Sequence, residues 1–216
     1  LQYFERRELH LATSVRSFRT PDLAAFVKSV LDADTQEAKR LGDKIKDRYP
    51  VVVTRDLSKA KKWVKDHCFG TMRYGLLASS GALRLKPEGI FVKNNIDVAK
   101  WFLKDKTDVR SSYALEDVVT EFDIQGLEVD YSIVAWDADL RYEDGEWAAY
   151  NFKGNRWQCI KKEENKLHLK NAYRVLLTRA RQGMVIFVPQ GSDEDKTRKR
   201  EWYDNIFNFL CEVGIE

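Results

Sequence analysis

"YRVLLTRARQGMVIFVP", Tyr173 to Pro189, holds two hydrophobic periods back to back. Tyr173, Leu176, Leu177 and Ala180 recur at helical spacing and form one apolar stripe, while Arg174, Thr178 and Arg181 gather on another face. Arg179 lies beside the stripe and outside both groups. From Gly183 the pattern becomes a continuous apolar run, "GMVIFVP", of the kind a strand shows when both its faces are covered. A helix over "KLHLKNAYRVLLTRAR" that feeds into a buried strand is one half of the alternation that builds a parallel sheet.

The same alternation extends outward in both directions. "LHLATSV", Leu9 to Val15, is expected as a strand. Thr20 suits the N-cap of the next helix and Pro21 its first position. Leu23, Phe26, Val27, Val30 and Leu31 then give that helix a continuous buried stripe. "VVVT" (Val51 to Thr54), "RYGLLASS" (Arg73 to Ser80) and "YSIVAW" (Tyr131 to Trp136) are further strands, and Asp56 or Ser58 caps a helix carrying Ala60, Trp63 and Val64. "TRKREWYDNIFNFLCEVG" is a terminal helix whose Trp202, Ile206, Phe209, Leu210 and Val213 share a face. The fold class is therefore α/β, a largely parallel sheet flanked by helices. Asp144-Gly145 and Lys153-Gly154 supply turn signals inside a Trp-rich segment, which predicts an inserted β-hairpin over 140–161.

With 216 residues, 44% apolar and 33% charged, the chain suits one globular domain, 1–216, and no apolar run approaches the length of a membrane span. Cys68, Cys159 and Cys211 are odd in number, far apart and without a CxxC pair, which points away from a disulfide framework or zinc site and towards a reducing cytoplasm. A net charge of +3 permits a nucleic-acid partner without requiring one. The chain starts at Leu1 with neither an initiator Met nor a signal-peptide pattern, so it is expected to be a piece of a longer polypeptide.

Five stretches carry candidate chemistry. In "TEFDIQGLEVDY", Thr120 to Tyr131, Asp123, Glu128 and Asp130 are the oxygen ligands a hard cation prefers, or else the acids of a capped turn. Gly126 there permits an unusual dihedral, flanked by Gln125. Arg16 and Arg19, between a strand and a capped helix, form a possible anion site. Arg179, just before a buried strand, has a planar fork suited to phosphate oxygens. "SSGALRLK" offers Ser79, Ser80 and Arg84 to a polynucleotide. Trp136, Trp147 and Trp157, with Lys153 and Arg156, are either base-stacking residues or hairpin packing.

Order joins these stretches. "LATSVRS", then "TEFDIQGLEVDYSIV", then "YRVLLTRAR" resembles motifs IV, V and VI of superfamily 1 helicases, in sequence. The family's last two motifs run approximately T-x-H-x-x-[KQ]-G-L-E-[FW] and Y-V-[AG]-L-T-R-A. This chain agrees at Thr120, Gln125, Gly126, Leu127 and Glu128, and at Tyr173, Leu177, Thr178, Arg179 and Ala180. It departs at Phe122, where neighbouring families often carry a histidine. The closer resemblance is to the Schlafen-like group of bacterial DNA/RNA helicases, in which phrases like "RYGLLASSGA", "EFDIQGLEVDY" and "YRVLLTRARQGMVIFVP" recur.

The resemblance implies a RecA-like second motor domain with ATP in a cleft shared with an upstream RecA-like domain of the same chain. It implies Arg179 and Arg16 as catalytic arginines near the γ-phosphate, with Arg19 an alternative to Arg16, and Glu128 as a ribose acceptor. Gln125 and Gly126 would form the turn linking the nucleotide to the nucleic-acid track, and Thr120 would meet the phosphodiester chain. Mg²⁺ would be held mainly by the upstream domain, since no G-x-x-x-x-G-K-[ST] sequence occurs here. The implied partner is DNA or RNA, single-stranded, and the domain alone would be inactive as an ATPase. The competing expectations are a non-catalytic RecA-like module that binds nucleic acid or protein, and a Mg²⁺-dependent nuclease using Asp123, Glu128 and Asp130.

Overall fold

The computed structural model describes residues 21–215. The chain runs α1 (Pro21–Leu31), α2 (Thr35–Ile45), β1 (Val51–Thr54), α3 (Leu57–His67), β2 (Tyr74–Ala78), α4 (Val98–Leu103), β3 (Val118–Val119), β4 (Val129–Ala135), β5 (Leu140–Glu143), β6 (Glu146–Lys153), β7 (Arg156–Cys159), α5 (Glu163–Leu177), β8 (Ala180–Phe187) and α6 (Arg200–Glu212). Five strands form one sheet in the order β1-β8-β4-β2-β3, every pair parallel. The expected strand at Leu9 to Val15, with Arg16, Arg19 and Thr20, lies outside the described residues.

The continuous apolar runs are explained by burial on both faces. Along β8, Met184 and Ile186 join the core built by α1, α2, α5 and α6. Val185 and Phe187 join the opposite core, beneath α3 and the segment around Leu85 and Ile90. β4 divides likewise, with Val134 on the first side and Ile133 and Ala135 on the second. Because all the strands are parallel, Ala78, Val119, Ala135 and Phe187 come out along one carboxyl edge. That is the edge at which open α/β sheets commonly hold ligands.

Several boundaries differ from expectation, each for a local reason. α5 stops at Leu177 because the Thr178 hydroxyl donates back to the Arg174 carbonyl at 2.7 Å. β8 then starts at Ala180, whose carbonyl accepts from the Tyr49 hydroxyl at 3.1 Å, so Arg179 is in a turn and not on a helix. The inserted segment is a three-stranded antiparallel sheet, β5-β6-β7, and not a single hairpin. Its tryptophans and the neighbouring Trp136 pack inward: Trp147 donates to the Val30 carbonyl at 2.7 Å, Trp136 to Leu140 at 2.8 Å and Trp157 to Thr197 at 2.8 Å. The Arg141 guanidinium is sandwiched between Trp202, 3.5 Å from its ring centre, and Tyr150, at 3.9 Å, which fastens this sheet to α6. No helix among the described residues is long and apolar enough to cross a membrane.

Candidate functional site

The Thr120 to Glu128 stretch is a crossover that carries the chain from one edge of the sheet to the other. Val118 pairs at the level of Leu76, and Leu76 at the level of Ile133, so Thr120 emerges beside Ala135 at the carboxyl edge. Glu128 arrives just before Val129, the first residue of β4, at the amino edge. Six residues of strand separate those levels, or about 20 Å. The crossover starts with a clasp: the Thr120 N–H and hydroxyl both donate to Asp123 Oδ2, at 2.8 and 2.7 Å. It turns at Gly126, whose φ of +83° belongs to the left-handed region that suits glycine.

At the amino edge the crossover meets the end of the α5 turn. The Val129 N–H donates to the Arg179 carbonyl at 3.1 Å, so Glu128 and Arg179 precede neighbouring parallel strands. Both are partly exposed, and the Glu128 carboxylate makes no hydrogen bond or ion pair among the described residues. Asp130 is held inside the chain. It is 7% exposed, accepts from the Arg73 N–H at 2.7 Å and Gln182 Nε2 at 3.0 Å, and pairs with Arg181 at 3.1 Å, clamping the starts of three strands together. Asp123, Glu128 and Asp130 thus do not converge, and among the described residues no three His, Cys, Asp or Glu side chains are placed to share a metal ion.

At the carboxyl edge an open groove of about 540 Å³ runs between the crossover and α5. Ser79, Ser80 and Gly81 follow β2 into it, and Glu121, Phe122 and Gln125 form the crossover wall. Asn165, His168 and Asn171 project from α5, and Asn151 and Ile160 close one end. Ser80 ties the end of β2 to the crossover wall, donating its N–H to Glu121 Oε2 at 2.9 Å and its hydroxyl to Oε1 at 2.7 Å. Phe122, by contrast, is 69% exposed.

Ser79, Ser80, Arg84 and Thr120 therefore all lie near this edge, but with their polar groups engaged inside the chain. Ser79 is fully buried, with its hydroxyl 2.7 Å from Asp139 Oδ2. Arg84 pairs with Asp195 at 2.6 Å and lies over the Phe152 ring. Gln125, on the same turn as Gly126, lines the groove.

Behind the groove is a buried acidic pair that periodicity gave no reason to single out. Asp137 and Asp139 follow β4 and are both fully buried. Asp139 accepts from Ser79 and, at 2.6 Å, from the Tyr173 hydroxyl of α5. Asp137 accepts from the Tyr203 hydroxyl at 2.7 Å and from the Arg84 N–H at 2.8 Å. Desolvation, reinforced by the charge of Asp137, pushes the Asp139 carboxyl up to about 7. Burial raises Asp137 as well, against the hydrogen bonds that favour its charged form.

Neither a curated protein nor a solved structure gave a match to the chain. A family model did, that of the Schlafen group 3, DNA/RNA helicase domain, over residues 2–190, which takes in the parallel sheet, the crossover and the groove. The chain belongs to the Schlafen group 3 DNA/RNA helicase domain family.

Proposed function

We propose that the chain is the second, RecA-like motor domain of an ATP-dependent nucleic-acid helicase or translocase of superfamily 1, completing an ATP site with an upstream domain of the same polypeptide. The observation that carries this reading is the placement of Glu128 and Arg179 at the heads of adjacent parallel strands, joined by the Val129 to Arg179 hydrogen bond. A carboxylate without a partner among the described residues suits a ribose hydroxyl, and a guanidinium from the head of the next strand suits phosphate oxygens. Arg16, or Arg19, would add a second cation to the phosphate side. Gly126 lets the crossover turn tightly between the two edges. ATP would bring its Mg²⁺ with it, and the metal's ligands would come mainly from the upstream domain. Single-stranded DNA or RNA would run along the carboxyl edge, above Thr120, Ser79, Ser80 and Arg84, which shape that edge from beneath. Closure of the two domains on ATP and reopening after hydrolysis would then move the strand.

ATP hydrolysis by the polypeptide that joins this chain to its upstream domain tests the reading, measured with and without single-stranded oligonucleotide. Glu128→Ala is expected to raise the Michaelis constant for ATP about tenfold, the worth of a hydrogen bond to a charged group. Hydrolysis that neither needs Glu128 nor responds to nucleic acid would contradict it.

A further inference from the structure

We propose that the groove between the crossover and α5 is a base-binding subsite for single-stranded nucleic acid, with Phe122 stacking on one base and Lys161 and Lys162 meeting the backbone outside. This rests on the motor-domain reading and adds which side of the strand enters. The groups that would ordinarily grip phosphate at this edge are already engaged. Thr120 gives both its donors to Asp123, Ser79 is buried on Asp139, and Arg84 is paired with Asp195.

What remains accessible suits a flat, uncharged, hydrogen-bonding ligand. Phe122 stands 69% exposed on one wall and offers a ring face. Gln125, Asn151 and Asn165 are exposed on the walls, and their carboxamides both donate and accept, as base edges do. The Glu121 carboxylate, 7% exposed and held by Ser80, disfavours a phosphate and leaves lone pairs for ring N–H or amino groups. Lys161 and Lys162 follow the groove-lining Ile160 directly and lead into α5. Both are exposed and form no ion pair among the described residues, so they are available to phosphates passing the mouth. The 540 Å³ volume falls within the roughly 300–1,000 Å³ of small-ligand sites.

Fluorescence anisotropy of the 216-residue chain with dye-labelled oligothymidylate or oligouridylate, and with an abasic strand of equal length, tests this subsite. Phe122→Ala removes an exposed ring and leaves the cores untouched, which circular dichroism would verify. It should weaken binding of the base-bearing strands about tenfold and leave the abasic strand unaffected. The Lys161→Ala/Lys162→Ala double variant should weaken all the strands alike. Unchanged binding of base-bearing strands by Phe122→Ala, or an equal loss for the abasic strand, would overturn the stacking site and leave the motor reading standing. Failure of the unaltered chain to bind any of these strands would overturn both.

Discussion

Asp137 and Asp139 are the residues whose environment departs furthest from what their identity suggests. Acids are seldom fully buried unless satisfied by donors, and each oxygen of this pair has one: Ser79, Tyr173, Tyr203, or the N–H groups of Arg84 and Ala138. With its pKa raised to about 7, Asp139 holds its proton in the folded state across a range where the unfolded chain, at about 3.9, has released it. The pair's contribution to stability is therefore fully present below pH 4 and is lost as the pH rises towards 7. Thermal melts of the wild type and Asp139→Asn across pH 5 to 8 should show the variant gaining on the wild type as the pH rises. A difference that does not vary with pH would contradict that environment. Glu128, Gly126 and Arg179 stood out in the sequence because their spacing matches a known motif order. The acidic pair was not, because its role depends on Tyr173 and Tyr203, which only the fold brings to it.

Among the elements, the strands and their two-sided burial were legible as apolar runs, and the capped helices as 3.6-residue stripes. β3 was not, because a two-residue strand carries no period. Nor was α4, six residues long and set in the long connection between β2 and β3. Its anchor is Trp101, fully buried, whose indole lies against Gly75 of β2. A Cβ added at Gly75 would fall 2.4 Å from the Trp101 ring, so the strand uses glycine to admit an aromatic side chain and not to turn. Gly75→Ala should therefore cost about 2 kcal/mol through overpacking, roughly 4–8 °C in melting temperature. A variant that melts with the wild type would show that α4 can move away from the sheet freely. On α6, Tyr203 is fully buried with its hydroxyl on the Asp137 carboxylate, while Trp202 is partly buried and packs against the same core.

For the whole molecule, the parallel sheet sets the two proposed sites at opposite ends. Glu128 and Arg179 stand at its amino edge, the groove with Phe122 opens at its carboxyl edge, and one nine-residue crossover joins them. A shift at the nucleotide would thus reach the groove through Gly126 and the Thr120–Asp123 clasp without crossing the core. The family resemblance singled out the residues proposed for the nucleotide. The groove was not, because its far wall comes from α5 and the inserted sheet, distant in sequence from the crossover. The most direct test of the motor assignment is the steady-state rate of ATP hydrolysis, at saturating single-stranded oligonucleotide, by the polypeptide joining this chain to its upstream domain. The account predicts that Arg179→Ala lowers that rate about a thousandfold with the oligonucleotide's half-activating concentration unchanged; turnover near the wild-type rate would contradict it.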